Sequence, residues 1–254
     1  MQLRYRLLAP LAAVCLALAF VPAFAEKPAP IIVSPSGPVI DRDIGSVTLA
    51  PPACLMGVLG PPSSVWAGLF FPPQDEYFTL LKPQQCPTCP DNFLLLKNAH
   101  LQILYTVPCQ LLLRVSITPA EDPDGDGCYT PNPFAPEICP AVQYLLGDGG
   151  FLNTCLDFSL PLPGGCCING PVFLEYELDA TNCPGGEPDV CAPISCQNCV
   201  QYNYYPGAPF PGTDLCVFGA PFGFYGVVMY ADADCCTPTP TLPGSWGMLK
   251  TLYR

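Results

Sequence analysis

Along the middle of the chain, apolar and polar residues alternate with a period of two. In Ala99-His100-Leu101-Gln102-Ile103-Leu104-Tyr105-Thr106-Val107 the odd positions are apolar and the even ones mostly polar, as a strand with one buried face requires. Gln110 to Thr118 repeats the pattern, with Leu111, Leu113, Val115 and Ile117 facing in and Gln110, Arg114, Ser116 and Thr118 facing out. Val172 to Asp179 does the same, Val172, Leu174, Tyr176 and Leu178 alternating with Phe173, Glu175, Glu177 and Asp179. Further strands are predicted at 45–50, 65–71, 76–81, 155–160, 200–205 and 226–231. About nine short strands between Pro, Gly and Asp turns, with almost no segment of helical period, predict an all-β protein. The expected form is an antiparallel β-sandwich of jelly-roll or Ig-like type, stabilised by multiple disulfides. The 35 prolines point the same way, since proline is tolerated between strands and at sheet edges but breaks helices.

The first 25 residues read differently. Arg4 and Arg6 form a positive start, Leu7 to Phe20 an apolar run, and Ala23-Phe24-Ala25 a small-x-small cleavage site, which together predict a signal peptide and a mature chain starting at Glu26. An uncleaved anchor is the rival, but Pro10 and Pro22 interrupt the run. No later stretch is apolar for long enough to cross a bilayer as a helix, so no transmembrane segment is expected once the leader is removed.

Cysteine usage agrees with export. Of 17 cysteines, Cys15 lies in the leader, leaving an even sixteen: Cys54, Cys86, Cys89, Cys109, Cys128, Cys139, Cys155, Cys166, Cys167, Cys183, Cys191, Cys196, Cys199, Cys216, Cys235 and Cys236. Eight disulfides in an oxidising, extracellular or cell-surface setting are expected, with a pairing that sequence alone does not choose. Cys86-Pro87-Thr88-Cys89 and Cys196-Gln197-Asn198-Cys199 have the spacing of a four-thiolate zinc site, but in an oxidising compartment thiols pair with one another first. The adjacent pairs Cys166-Cys167 and Cys235-Cys236 are expected to bond to different strands and staple the sheets together.

Composition divides the chain into a signal peptide (1–25), a proline-rich arm (26–43), a disulfide-rich β body (44–236), and a Pro/Thr spacer with a short tail (237–254). The body, about 190 residues, is large enough for one core. Without the leader, seven basic residues face 21 acidic ones, a net charge of −14. The few Lys and Arg are scattered, which excludes nucleic acid and anionic membrane as partners.

Three features carry candidate chemistry. Asp122, Asp124 and Asp126 lie in Glu121-Asp122-Pro123-Asp124-Gly125-Asp126-Gly127, a cluster of hard oxygens suited to calcium. Pro133 stands where an EF-hand would need its bidentate glutamate, so any site is of another kind, with Glu137 or Asp148 as a more distant ligand; an acidic turn without an ion is the alternative. Glu175 and Glu177 share a strand face at a spacing open to a glycosidase pair, or form a solvated face. Tyr202, Tyr204, Tyr205 and Phe210 offer flat rings with polar tips for a sugar or a protein surface, or else belong to the core. His100, the sole histidine, falls on the polar face of its strand, and no nucleophile motif accompanies it.

The runs F-S-L-P-L-P-G-G-C-C-I-N-G-P-V-F-L-E-Y (158–176) and C-Q-N-C-V-Q-Y-N-Y-Y-P-G (196–207) resemble those of a group of secreted, cysteine-rich bacterial β-sandwich proteins of unknown function. The tail Trp246-Gly247-Met248-Leu249-Lys250-Thr251-Leu252-Tyr253-Arg254 is similar to the W-G-x-x-K-x-x-Y-R ends of other exported bacterial proteins. The resemblance implies export and transfers no catalytic residue. The expected function is a secreted or cell-surface, non-catalytic binding or structural module for glycan or protein. The alternatives are a secreted hydrolase using acidic residues and a self-associating envelope or matrix component.

Overall fold

A first sheet of eight strands carries the faces that matter below. In the computed structural model it runs β1 (Ile31–Val33), β8 (Cys139–Gly147), β6 (Gln110–Glu121), β10 (Val172–Thr181), β4 (Glu76–Leu81), β12 (Gln201–Tyr204) and β13 (Thr213–Asp214), with β7 (Thr130–Pro131) added to the end of β6. A second sheet of six strands runs β2 (Cys54–Val58), β14 (Met229–Cys235), β5 (Leu94–Leu104), β11 (Asp189–Ala192) and β3 (Ser64–Phe70), with β9 (Cys155–Ile168) on the other side of β5. The pairings are antiparallel except that of β1 with β8, which is parallel. A single turn of 3-10 helix (Pro83–Gln85) and a short helix α1 (Leu215–Gly219) complete the elements. The structure describes residues 28–36, 54–59, 64–70, 75–89, 91–132, 134–184, 188–205, 207, 212–219, 221 and 225–236. The leader, the strand expected at 45–50 and the tail lie outside these residues. Among the described residues no helix is long and apolar enough to cross a membrane.

The period-two positions meet in one core. Leu111, Leu113, Val115 and Ile117 of β6 and Val172, Leu174, Tyr176 and Leu178 of β10 join Ala99, Leu101 and Ile103 of β5, with Leu156, Phe158 and Leu160 of β9, in a single buried cluster fed by both sheets. Each Val, Leu, Ile or Phe side chain among them contributes about 1.5–3 kcal/mol through the area it removes from water. The expected polar face of the first sheet is different. Ser116, Thr118, Phe173 and Glu175 all point away from this core yet are buried, because a second cluster of Phe78, Leu80, Phe173 and Tyr202, flanked by Tyr129, Val200 and Tyr204, covers that side.

Boundaries differ where pairing overrides pattern. β9 extends to Ile168 rather than stopping near residue 160, despite Pro161. It has a ladder partner, β5, on one side only among the described residues, so a missing N–H on its far side breaks no ladder bond. The last strand is shifted toward the C-terminus, to 229–235. β2, β8 and β11 were not anticipated; their apolar runs are short and flanked by proline.

All sixteen cysteines are paired: Cys54–Cys86, Cys89–Cys235, Cys109–Cys183, Cys128–Cys199, Cys139–Cys166, Cys155–Cys191, Cys167–Cys236 and Cys196–Cys216. Among the described residues no thiolate remains for zinc, and the two cysteines of each C-x-x-C motif go to different partners. The stapling expectation needs correction. Cys166 does cross from β9 to β8 of the other sheet, but Cys167 bonds to Cys236 at the end of β14, within the second sheet. Neighbouring residues of a strand point to opposite faces, so one of an adjacent pair faces the other sheet and its neighbour does not.

Candidate functional site

The outer face of the first sheet grades from apolar to charged in register. Phe173 stands opposite Leu80 and Thr118; Glu175 opposite Phe78 and Ser116; Glu177 opposite Glu76 and Arg114. On the other flank of β4, Tyr202 pairs with Phe78 and Tyr204 with Glu76. The connection from β6 to β8 folds over this face at three points. Cys128 is bonded to Cys199, the ring of Phe134 meets that of Tyr204 edge-on at 6.1 Å, and Glu137 forms an ion pair with Arg114.

One guanidinium serves several carboxylates here. Arg114 Nη1 donates to Glu177 Oε2 at 2.9 Å and lies 3.9 Å from Glu175 Oε1, while Nη2 takes Glu137. Ser116 Oγ donates to Glu175 Oε2 at 2.7 Å. Burial raises the Glu175 carboxyl against the pull of Ser116 and Arg114. Glu76 is pushed up to about 8, by burial first and then by the charges of Glu175 and Glu177, so at neutral pH it holds its proton. Asp75, beneath it, is raised to about 7 by burial, although Asn203 Nδ2 donates to it at 2.6 Å. The two glutamates predicted to share a face do so, but Glu175 is buried and Glu177 ion-paired, which replaces the picture of a solvated face.

The acidic turn sits at the start of the same connection. Oxygens of Asp122, Asp124 and Asp126 all lie within 4.8 Å of one another. Gly127 N donates to Asp122 Oδ2 at 3.2 Å and Cys128 N to Asp126 Oδ1 at 2.7 Å, while Asp122 Oδ1 is shut off from solvent without a partner. Neither proposed distant ligand joins them. Glu137 is held by Arg114 and by Ala141 N, and Asp148 accepts from Gly150 N in its own turn.

Of the predicted aromatics, Tyr202 is buried, Tyr204 half-buried and Tyr205 exposed; Phe210 lies outside the described residues. Alternation places Tyr202 and Tyr204 on the covered face, and Tyr205 follows the end of β12. Phe134 was missed. It is 75% exposed, and its only sequence signal is a lone aromatic in the Asn132-Pro133-Phe134 turn.

His100 lies between two carboxylates. Its Nε2 lies 3.0 Å from Asp232 Oδ1 and its Nδ1 3.4 Å from Asp157 Oδ2, on the outer face of the second sheet. Burial lowers its pKa, but the hydrogen bonds and charges of Asp157 and Asp232 outweigh this and carry it up to about 9, so it is an imidazolium at neutral pH.

Comparison with known proteins finds no matching family model, curated protein or solved structure. The class is therefore set by the fold alone: an all-β protein of two sheets braced by eight disulfides.

Proposed function

We propose that the chain is an exported, non-catalytic binding module whose ligand is a glycan held on the outer face of the first sheet. The observation that carries this reading is the Phe134–Tyr204 pair, an exposed ring supported edge-on by a half-buried one beside the Arg114 carboxylate cluster. Flat rings stack on the C–H faces of sugars while neighbouring carboxylates accept from hydroxyls. Sixteen paired cysteines and the leader support export. A glycan array tests the reading: Phe134→Ala and Tyr204→Ala are expected to lower binding about tenfold, the effect of about 1.4 kcal/mol. Unchanged binding in both would reject it.

Calcium is the cation we propose for the Asp122, Asp124 and Asp126 turn. The donors are hard oxygens, and Asp122 Oδ1 lacks a partner. With only three carboxylates from the protein and water for the rest, the affinity belongs to the weak extracellular range of about 0.1–1 mM.

Glu76 favours a second reading, acid hydrolysis of a glycoside, because it holds a proton opposite Glu177, which is paired with Arg114. Turnover of a chromogenic glycoside lost in Glu76→Gln would establish it, and turnover absent from the native protein would exclude it.

A further inference from the structure

Of the three Lys and Arg side chains among the described residues, two are neutralised, Lys97 by Asp234 and Arg114 by the glutamates, and the imidazolium of His100 lies between Asp157 and Asp232. Lys82 has no carboxylate partner among the described residues. Its ammonium lies 5.0 Å from the centroid of the Tyr129 ring, and the residue lines a cavity of about 350 Å³. In a chain of formal net charge −12, an unneutralised cation at a cavity of that size is a site for an anion.

The rest of the lining narrows the anion. Leu80 and Val200 supply apolar lining, and Gln85, Ser195 and Gln197 supply polar lining alongside Lys82. Gln85 Oε1 accepts from Lys82 N at 3.0 Å, which turns the donor end of that amide away from the backbone. Amides and hydroxyls both donate and accept, as sugar hydroxyls do. One ammonium matches one carboxylate, whereas a doubly charged phosphate would stay half neutralised. Disulfides brace the lining segments: Cys86–Cys54 anchors the 3-10 turn that follows Lys82 and carries Gln85, Cys196–Cys216 ties the segment bearing Ser195 and Gln197 to α1, and Cys199–Cys128 holds the loop bearing Tyr129. A preformed wall loses little conformational entropy on binding.

We infer that this cavity binds a carboxylated sugar, a uronate unit of an acidic glycan, through Lys82. The inference rests on the glycan-binding reading and names the subsite that confers its charge preference.

Glucuronate, glucose and acetate are the probes, titrated into the full-length oxidised protein and followed by NMR. Glucuronate is expected to bind at least tenfold more tightly than either glucose or acetate. Lys82→Gln should reduce its affinity at least tenfold, to the level of glucose, as loss of a charge-assisted hydrogen bond predicts. Gln197→Ala should weaken it several-fold, and Lys97→Gln, at a residue that is not among the lining and is already paired with Asp234, should leave it unchanged. Eight intact disulfides by mass spectrometry and an unaltered melting temperature certify each variant as folded. Acetate binding as tightly as glucuronate, or glucuronate indifferent to both Lys82→Gln and Gln197→Ala, would overturn the inference. Failure here with array binding still dependent on Phe134 removes the subsite and leaves the binding surface standing.

Discussion

The imidazole of His100 lies flat against the ring of Tyr230, centroids 4.4 Å apart and planes 1° from parallel, and both side chains reach the carboxylate of Asp157. The two residues face each other across β5 and β14. Asp232, two residues along β14, takes the second ring nitrogen and is itself held by Asn98 at 3.1 Å. A cation is thus sandwiched between two carboxylates and a ring on a half-buried sheet face. Removing it by His100→Leu leaves Asp157 and Asp232 facing each other uncompensated and is expected to cost about 2–4 kcal/mol, measured by denaturant unfolding. Tyr230→Phe, which removes one hydrogen bond, should cost about 1 kcal/mol.

The same cluster makes stability depend on pH in a stated direction. The unfolded chain releases the histidine proton near 6.5, the folded one at about 9, so this contribution is complete below pH 6.5 and lost as pH rises to about 9. Glu76 acts in the same sense: between 4.5 and about 8 the folded state binds the extra proton. Asp232, held below its usual range by His100 and Asn98 against the effect of burial, loses its contribution only in acid. Unfolding free energy should therefore fall from pH 6.5 to pH 9, less steeply in a His100→Gln variant. A flat or rising profile would contradict the cluster.

Gly57 sets the approach of β2 to β14. Its φ is +109°, and a Cβ there would stand 2.7 Å from Met229 O and 2.9 Å from Tyr230 Cα. Both obstacles are backbone and do not move aside. Gly57→Ala is expected to cost at least about 2 kcal/mol, read from the thermal midpoint.

The disulfides should rank by the loop each closes. Cys89–Cys235 spans 146 residues and Cys196–Cys216 spans 20; loop entropy assigns them about 5 and about 3 kcal/mol. Paired Ser replacements, compared by denaturation, should keep that order.

Calcium at millimolar concentration is expected to raise the melting temperature, with EDTA reversing the shift and Asp124→Asn abolishing it. A midpoint indifferent to calcium would leave the Asp122, Asp124 and Asp126 turn as an acidic hairpin connection.

The strands expected at 76–81, 110–118 and 172–179, and the inward residues of the last two, were readable because a two-residue period is local to the segment that carries it; the structure extends the last two to Glu121 and Thr181. Phe134 against Tyr204, Glu137 against Arg114 and Lys82 over Tyr129 were not, since each joins residues brought together by a chain excursion whose landing place no local pattern encodes. Ser116 and Thr118 show the limit well. Their alternation correctly placed them opposite the main core, yet a second apolar layer buries them.

What the sequence by itself determined is the all-β class, through hydrophobic periodicity, and a fully paired set of sulfurs, through an even count of cysteines outside the predicted leader. Only the tertiary structure decided which sulfurs pair, which carboxylates gather around Arg114, and which lysine is left without a counter-charge. Those facts depend on the register between strands distant in the chain, and register is settled by packing over the whole molecule rather than by any one segment.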